Sequence, residues 1–278
     1  MVKLRDLIKF SKQELSIRDI NSEEFSKIKI LLKEIFKISE SDLILNNDVK
    51  LENDYLIKKY KDFLKKIKNN TPVEYLVKKK FFYKNEFFVN ENVLIPRSET
   101  EILVDYCIGI LKEGDRVLEI GIGSGIISIS IALERDVFID STEISKRAIY
   151  VARKNIGRFN LKKRIRIFNT DLFPGNNKQY NLIVSNPPYI DEEELKILRK
   201  KGLKDPEFAL NGGKKGLDVI ERIIINAKEY LLENGKLVFE MGYNQKDDVE
   251  FLLKKYSYRN VEFLKDYNNI YRVAIGEK

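Results

Sequence analysis

Not one histidine occurs among the 278 residues, and that absence removes whole classes of chemistry. Without an imidazole there is no Ser-His-Asp triad, no Cys-His pair and no metal site that needs histidine. Cysteine is nearly as scarce. Cys107 stands alone, which excludes a disulfide framework and a thiolate zinc site within the chain and fits a reducing cytoplasm. It lies in the apolar run "ETEILVDYCIGIL", where a small buried hydrophobe is expected rather than a nucleophile. No stretch approaches the roughly 18 uninterrupted apolar residues of a membrane span. The opening "MVKLRDLIKFSKQEL" is charged and amphipathic, without the apolar segment of a signal peptide. No metal and no membrane are therefore expected.

What is present is charge and aliphatic bulk. Apolar residues make up 43% and charged residues 34%, the mixture of a globular protein in water. The formal net charge of +8 suits an anionic partner. Lysine, isoleucine and asparagine are abundant along most of the chain, however, a bias that the base composition of a genome also produces. Because single cores rarely grow past roughly 250 residues, two domains are expected.

Glycine is missing from the first 70 residues or so, and apolar residues there recur at helical spacing. In "NSEEFSKIKILLKEIFKI", Phe25, Ile28, Leu31, Leu32, Ile35 and Phe36 share one face. Asn21 and Glu24 resemble a capping box at its start. Residues 1–72 read as a small helical domain whose lysine-rich outer face is solvated. The aromatic runs of "FFYKNEFFV" about Lys84-Asn85 then read as a β-hairpin, making residues 73–95 a connector. From 96 to 278, "RVLEIGIG", "VFIDSTE", "RIRIFNT" and "YNLIVS" alternate with helical patterns, and "KLVFEMG", "VEFLKD" and "YRVAIGE" end the chain. An α/β fold is expected: a doubly wound, Rossmann-like, mostly parallel sheet closed by an antiparallel hairpin.

The first of these strands runs into Glu119, Gly121, Ile122, Gly123, Ser124 and Gly125. Glycines there let the backbone turn tightly and approach a ligand at the start of a helix. A dinucleotide fingerprint would need a glycine three residues after Gly123, but Ile126 stands there. The G-x-G-x-G form behind an acidic residue is instead that of S-adenosylmethionine sites. Glu143 ends the second strand, where a carboxylate can accept both ribose hydroxyls, with Asp140 as a competitor. Asp171 and Leu172, past the third strand, suit the adenine edge.

The fourth strand feeds "SNPPYI", in which two prolines remove two backbone donors where a strand would otherwise keep pairing. A chemical problem explains such an elbow. An amide or aryl-amine nitrogen has a delocalised lone pair and attacks a methyl group poorly. If the Asn186 side-chain oxygen and the Pro187 carbonyl accept its two N–H bonds, the nitrogen is held and its lone pair aimed at a sulfonium methyl. Pro188 stiffens the elbow, and Tyr189 is expected to stack on the planar group. The proton leaves after transfer, so no histidine is required.

With these residues placed, the sequence resembles the protein-(glutamine-N5) methyltransferases that modify peptide-chain release factors. The motifs "TPVEYLVKKKFFY", "VLIPRSETE", "LEIGIGSG", "DLFPG", "LIVSNPPYI", "EFALNGGKKGLD", "NGKLVFEMGYNQ" and "DYNNIYRVAI" follow in that family's order. The resemblance implies an S-adenosylmethionine-dependent enzyme methylating the glutamine of a Gly-Gly-Gln loop, with the helical domain docking the release factor; a cytoplasmic monomer is expected. The family's cofactor roles carry over to Gly121 to Gly125, Glu143, Leu172 and Asn186, and Glu119 and Asp171 are expected beside them. Substrate contacts would come from Asn186, Pro187, Pro188 and Tyr189, and from Arg97 and Glu101. Lys78 departs from the family's usual glycine, and Ser98 from its usual proline. The competing reading is an N6-adenine methyltransferase acting on DNA or RNA, which poses Asn186 the same problem with a flipped base. Nothing outside the catalytic part looks like a target-recognition module, so a nucleic-acid substrate is not expected. An inactive scaffold would show erosion of the glycine loop, the ribose carboxylate or N-P-P-Y; all are intact.

Overall fold

The computed structural model describes residues 2–19, 21–45 and 49–278. These form two compact units, residues up to 78 with 202–204, and residues 79–201 with 205–278.

The first unit is built from α1 (Leu4–Glu14), α2 (Glu23–Phe36), α3 (Glu40–Leu45), α4 (Asp54–Lys68) and α5 (Val73–Val77). Two two-residue strands, β1 (Val2–Lys3) and β2 (Lys50–Leu51), pair antiparallel. The periodic face of α2 is the buried one, with Ile28, Leu31, Leu32 and Ile35 packed against Leu4, Leu7, Tyr60 and Leu64. Tyr60 brings a hydroxyl into this core and shares a 2.7 Å hydrogen bond with Ser11, so the polar group is satisfied rather than stranded. The helix start differs from the sequence expectation. Ser22, not Asn21, caps α2, its Oγ accepting the Phe25 N–H at 3.2 Å. Serine can accept from the third residue onward as readily as asparagine, and such a cap is worth about 1 kcal/mol.

The second unit opens with a hairpin, β3 (Lys79–Phe82) and β4 (Asn85–Phe88). Its turn falls on Tyr83-Lys84 rather than on Lys84-Asn85, because Asn85 already pairs with Phe82. There follow α6 (Thr100–Ile110), β5 (Arg116–Ile120), α7 (Ile126–Glu134), β6 (Phe138–Glu143), α8 (Lys146–Arg158), β7 (Ile165–Asn169) and β8 (Tyr180–Ser185). The chain continues through α9 (Glu192–Lys200), α10 (Asp218–Tyr230), β9 (Leu231–Glu240), α11 (Lys246–Lys255), β10 (Arg259–Lys265) and β11 (Tyr271–Glu277). The last seven β-strands lie in one sheet of order β10-β11-β9-β8-β5-β6-β7, and the β3–β4 hairpin stands apart from it. Five are parallel, and β11 and β10 close one edge antiparallel, as the terminal sequence pattern predicts. Their apolar runs are buried on both faces. Leu103, Cys107, Ile127 and Ile156 cover one face with the inward residues of β5, β6 and β8. Ile220, Ile223, Leu252 and Leu253 cover the other.

Strand order reverses between β5 and β8, which are hydrogen-bonded neighbours. In open α/β sheets that switch point leaves a crevice beyond the carboxyl ends of the strands, because the two following connections depart to opposite faces. The glycine loop leaves β5 there, and Asn186 leaves β8.

Candidate active site

The crevice is a cavity of about 270 Å³. Its walls include Glu119, the loop from Gly121 to Ser124, Glu143, Asp171, Leu172, Asn186, Pro187, Pro188 and Arg97. Twelve sequence-predicted residues thus converge from the ends of four strands and from the segment before α6. Gly125, Tyr189 and Glu101 do not line it.

The loop is shaped by backbone bonds. The N–H groups of Gly121 and Ile122 both donate to the Thr142 carbonyl at 3.0 Å, tying the end of β5 to the end of β6. Thr142 also sends its hydroxyl to the Leu172 carbonyl at 2.6 Å, which holds Leu172 in a left-handed conformation (φ +55°). One threonine thereby joins three loops. Gly121 has φ +76°, and a Cβ built there meets no atom within 4 Å. That side of the loop is open to a ligand, and the dihedral favours glycine. Gly125 sits at the start of α7 with φ +88°, where a Cβ would come within 3.1 Å of Ile129; its role is the close turn into the helix.

Glu143 ends β6 and is 6% exposed. Its Oε2 accepts the Gly123 N–H at 3.0 Å and its Oε1 the Ser145 N–H at 2.9 Å. Burial pushes its pKa up, and these backbone donors pull it back. Each oxygen keeps acceptor capacity toward the cavity, which suits a vicinal diol. Asp140, the competitor, is spent elsewhere, ion-paired with Arg166 and Lys178 and accepting from the Tyr180 hydroxyl. Asp171 faces the crevice but holds Arg222 at 2.6 Å. Glu119 is deeper, 1% exposed, and accepts the backbone N–H and hydroxyl of Ser128. Burial pushes it up to about 8.

On the other side, Asn186 is half-buried and turns its amide nitrogen inward. Nδ2 donates to Glu240 Oε2 at 2.9 Å and to Thr100 Oγ1 at 3.1 Å. Its Oδ1 and the Pro187 carbonyl accept no protein hydrogen bond among the described residues. Two unused acceptors therefore stand at the mouth of the elbow. Tyr189, expected to stack on the planar group, also has a hydrogen-bond partner of its own. Its hydroxyl donates to Glu240 Oε1 at 3.0 Å, and burial with that carboxylate pushes the phenol pKa well up. The elbow is braced from behind by Gln245, whose Nε2 donates to the Tyr189 carbonyl at 2.9 Å.

Arg97 lines the crevice and pairs with Asp205 at 3.2 Å. Glu101 is placed differently from the sequence expectation. Its carboxylate accepts the Tyr83 N–H at 2.8 Å, so it anchors the hairpin turn; the rotation of roughly 100° between successive residues of α6 carries it off the face that holds Thr100. Sequence reasoning missed Thr100, Glu240, Thr142 and Gln245. The signal for Glu240 was available, a carboxylate ending the apolar run "KLVFE", although its partners were not.

The donors and acceptors fit S-adenosylmethionine, with the Glu143 carboxylate suited to a diol, an open glycine loop, and an apolar wall at Leu172 and Ile144. Comparison with known proteins agrees. Residues 99–201 match the methyltransferase small domain. A release factor glutamine methyltransferase of Buchnera aphidicola subsp. Acyrthosiphon pisum is 34% identical over 279 residues, covering 99% of this chain and 98% of that protein. One of Mycoplasma mycoides subsp. mycoides is 37% identical over 262 residues, with 88% and 89% covered. Among solved structures, a methyltransferase from Pyrococcus furiosus aligns with a TM-score of 0.53 at 19% identity, over 69% of this chain and 88% of that one, a likeness of fold.

Proposed function

Because the chain belongs to the release factor glutamine methyltransferase family, with relatives matched along nearly its whole length, we propose that it methylates the side-chain amide nitrogen of a release factor's Gly-Gly-Gln loop. S-adenosylmethionine is the cofactor, and when bound it supplies an electrophilic sulfonium methyl. The residues of this chain do the rest by position. Glu143 accepts the ribose hydroxyls, and the loop from Gly121 to Gly125 gives the cofactor its backbone surface. Asn186 Oδ1 and the Pro187 carbonyl accept the two N–H bonds of the substrate amide, which keeps its nitrogen lone pair directed at the methyl carbon. Held in this way by Asn186 and Pro187, the amide nitrogen would take the methyl that the cofactor supplies and would lose its proton to solvent afterwards. Orientation of two bound reactants can lower a barrier by up to roughly 7–11 kcal/mol, so no general base is needed for the step itself.

The observation that carries this reading is the pair of unused acceptors at the elbow, opposite a glycine loop with its own diol acceptor. The helical unit is the docking element, and its Phe10, Ile30 and Tyr55 offer exposed apolar surface to a protein partner. No helix among the described residues is long and apolar enough to cross a membrane, and we assign the enzyme to the cytoplasm as a monomer. The test is transfer of label from S-adenosylmethionine to a purified release factor, beside the same factor with its loop glutamine changed to alanine, and beside duplex DNA. Label on the intact factor alone is expected. Label on the DNA instead would make this an adenine methyltransferase.

A further inference from the structure

Neither the cofactor contacts nor the amide contacts use Glu240 or Thr100, yet the two are 1% and 0% exposed and lie directly behind Asn186. A buried carboxylate without a bound cation is costly unless its lone pairs are taken up. Glu240 meets that condition through three side chains. Oε2 accepts from Thr100 Oγ1 at 2.6 Å and from Asn186 Nδ2 at 2.9 Å, and Oε1 accepts from the Tyr189 hydroxyl at 3.0 Å.

The arrangement answers a problem that any catalytic carboxamide has. Its two ends are nearly the same size and opposite in hydrogen-bond character, so a half-turn about the last torsion converts an acceptor into a donor. A carboxylate can only accept. Set behind Asn186, it requires the amide nitrogen to face inward. Thr100 reinforces the same choice: its single hydroxyl hydrogen goes to Glu240, which leaves Oγ1 to accept the other Nδ2 hydrogen at 3.1 Å. Both donors of Asn186 are consumed by the protein, and only Oδ1 is left for a ligand.

We propose that Glu240, with Thr100, is a positioning residue that fixes the direction of the Asn186 carboxamide, so that the site offers acceptors alone and selects an N–H₂ group over an oxygen group. The inference rests on the methyl-transfer reading above and adds its selectivity. A glutamine amide brings two hydrogens to Asn186 Oδ1 and the Pro187 carbonyl, whereas a glutamate at the same place would set lone pairs against lone pairs. A reversed Asn186 would present hydrogens to the amide nitrogen and take up the lone pair it should leave free.

The experiment measures turnover, substrate KM and cofactor Kd for Glu240→Ala, Glu240→Gln, Thr100→Val and Thr100→Ser. It also measures solvent exchange of the Asn186 side-chain N–H₂ by NMR, assigned by its loss in Asn186→Ala. Glu240→Ala is expected to lower kcat by about 10²-fold, the scale of loss when a positioned group is misplaced, with cofactor Kd unchanged and faster Nδ2 exchange. Glu240→Gln keeps an oxygen that accepts from both Thr100 and Asn186 and turns its N–H₂ to Tyr189, so kcat stays within about tenfold of wild type. Thr100→Val should lower kcat in the same way and Thr100→Ser restore it, which covers an unfolded Glu240→Ala. Loss of cofactor affinity in parallel with kcat, or failure of Glu240→Gln to recover turnover, would make Glu240 a merely structural acid and overturn the proposal. Unchanged amide exchange in Glu240→Ala and Thr100→Val would overturn it whatever substrate is methylated. A wild-type enzyme that labels no release factor while Asn186 exchange still responds to Glu240 would instead sink the substrate assignment and leave the lock standing.

Discussion

Glu143 ends β6 and Glu240 ends β9, one strand out on either side of the β8–β5 pair. Both are buried carboxylates whose pKa burial pushes up, yet they are held by different means. Glu143 takes backbone N–H groups from residues 20 and 2 positions away. Glu240 takes side-chain donors from residues 140, 54 and 51 positions away. The side we propose for the cofactor is therefore a property of two loops, shaped largely by main chain. The side we propose for the substrate is a property of the assembled sheet, where α6, β8 and β9 must all be in place before any of the contacts exists.

This difference can be broken one side at a time. Asn186→Ala should have the largest effect, lowering kcat by about 10²–10³-fold, as removal of one preorganised hydrogen-bonding group does. Cofactor Kd, measured by titration, should not move. Retention of near-wild-type turnover would remove Asn186 from the chemistry. Glu143→Ala should do the converse, raising cofactor Kd by about 10–10²-fold through loss of charge-assisted hydrogen bonds, while turnover at saturating cofactor stays close to wild type. An unchanged Kd would mean that another group holds the diol.

Glu119, on β5 between the two sides, sharpens the contrast in a pH series. Its folded pKa of about 8 lies above the ordinary glutamic acid value of 4.5, so the folded state binds a proton that the unfolded state releases. The stability this supplies is fully present below the unfolded value and is lost as pH rises through about 8. Wild-type urea midpoints should therefore fall relative to those of Glu119→Gln between about pH 5 and pH 8. Parallel midpoints would show that Glu119 is ionised in the fold.

The smallest effect lies outside both sides. Lys78 caps α5 in the left-handed region at φ +58°, a conformation that disfavours residues with a Cβ. Lys78→Gly should stabilise the protein to urea by about 0.5–1 kcal/mol and leave turnover and cofactor Kd alone. A loss of stability would mean that the lysine side chain earns its place through contacts of its own.

Much of this was legible beforehand for a specific reason. The strand and helix periods, the glycine loop, Glu143 and the proline elbow are each encoded within some twenty consecutive residues, and a parallel sheet with its switch point converts their order into a place. Misreadings arose where a local pattern had two nearby solutions. Asn21 and Ser22 can both cap, and the hairpin could turn at Lys84-Asn85 or one residue earlier, until pairing of Phe82 with Asn85 decides. The partners of Tyr189 and Glu101, Glu240 and the Tyr83 N–H, were not legible because they are remote in sequence.

The amino-acid sequence by itself determined the fold class, the crevice and the identity of the groups that reach it, since alternation of apolar residues and the chemistry of glycine and proline act over short spans. Only the tertiary structure decided which way those groups face. The direction of Asn186 depends on a carboxylate 54 residues away and a hydroxyl 86 residues away, and a carboxamide has no intrinsic preference between its two ends until such partners surround it.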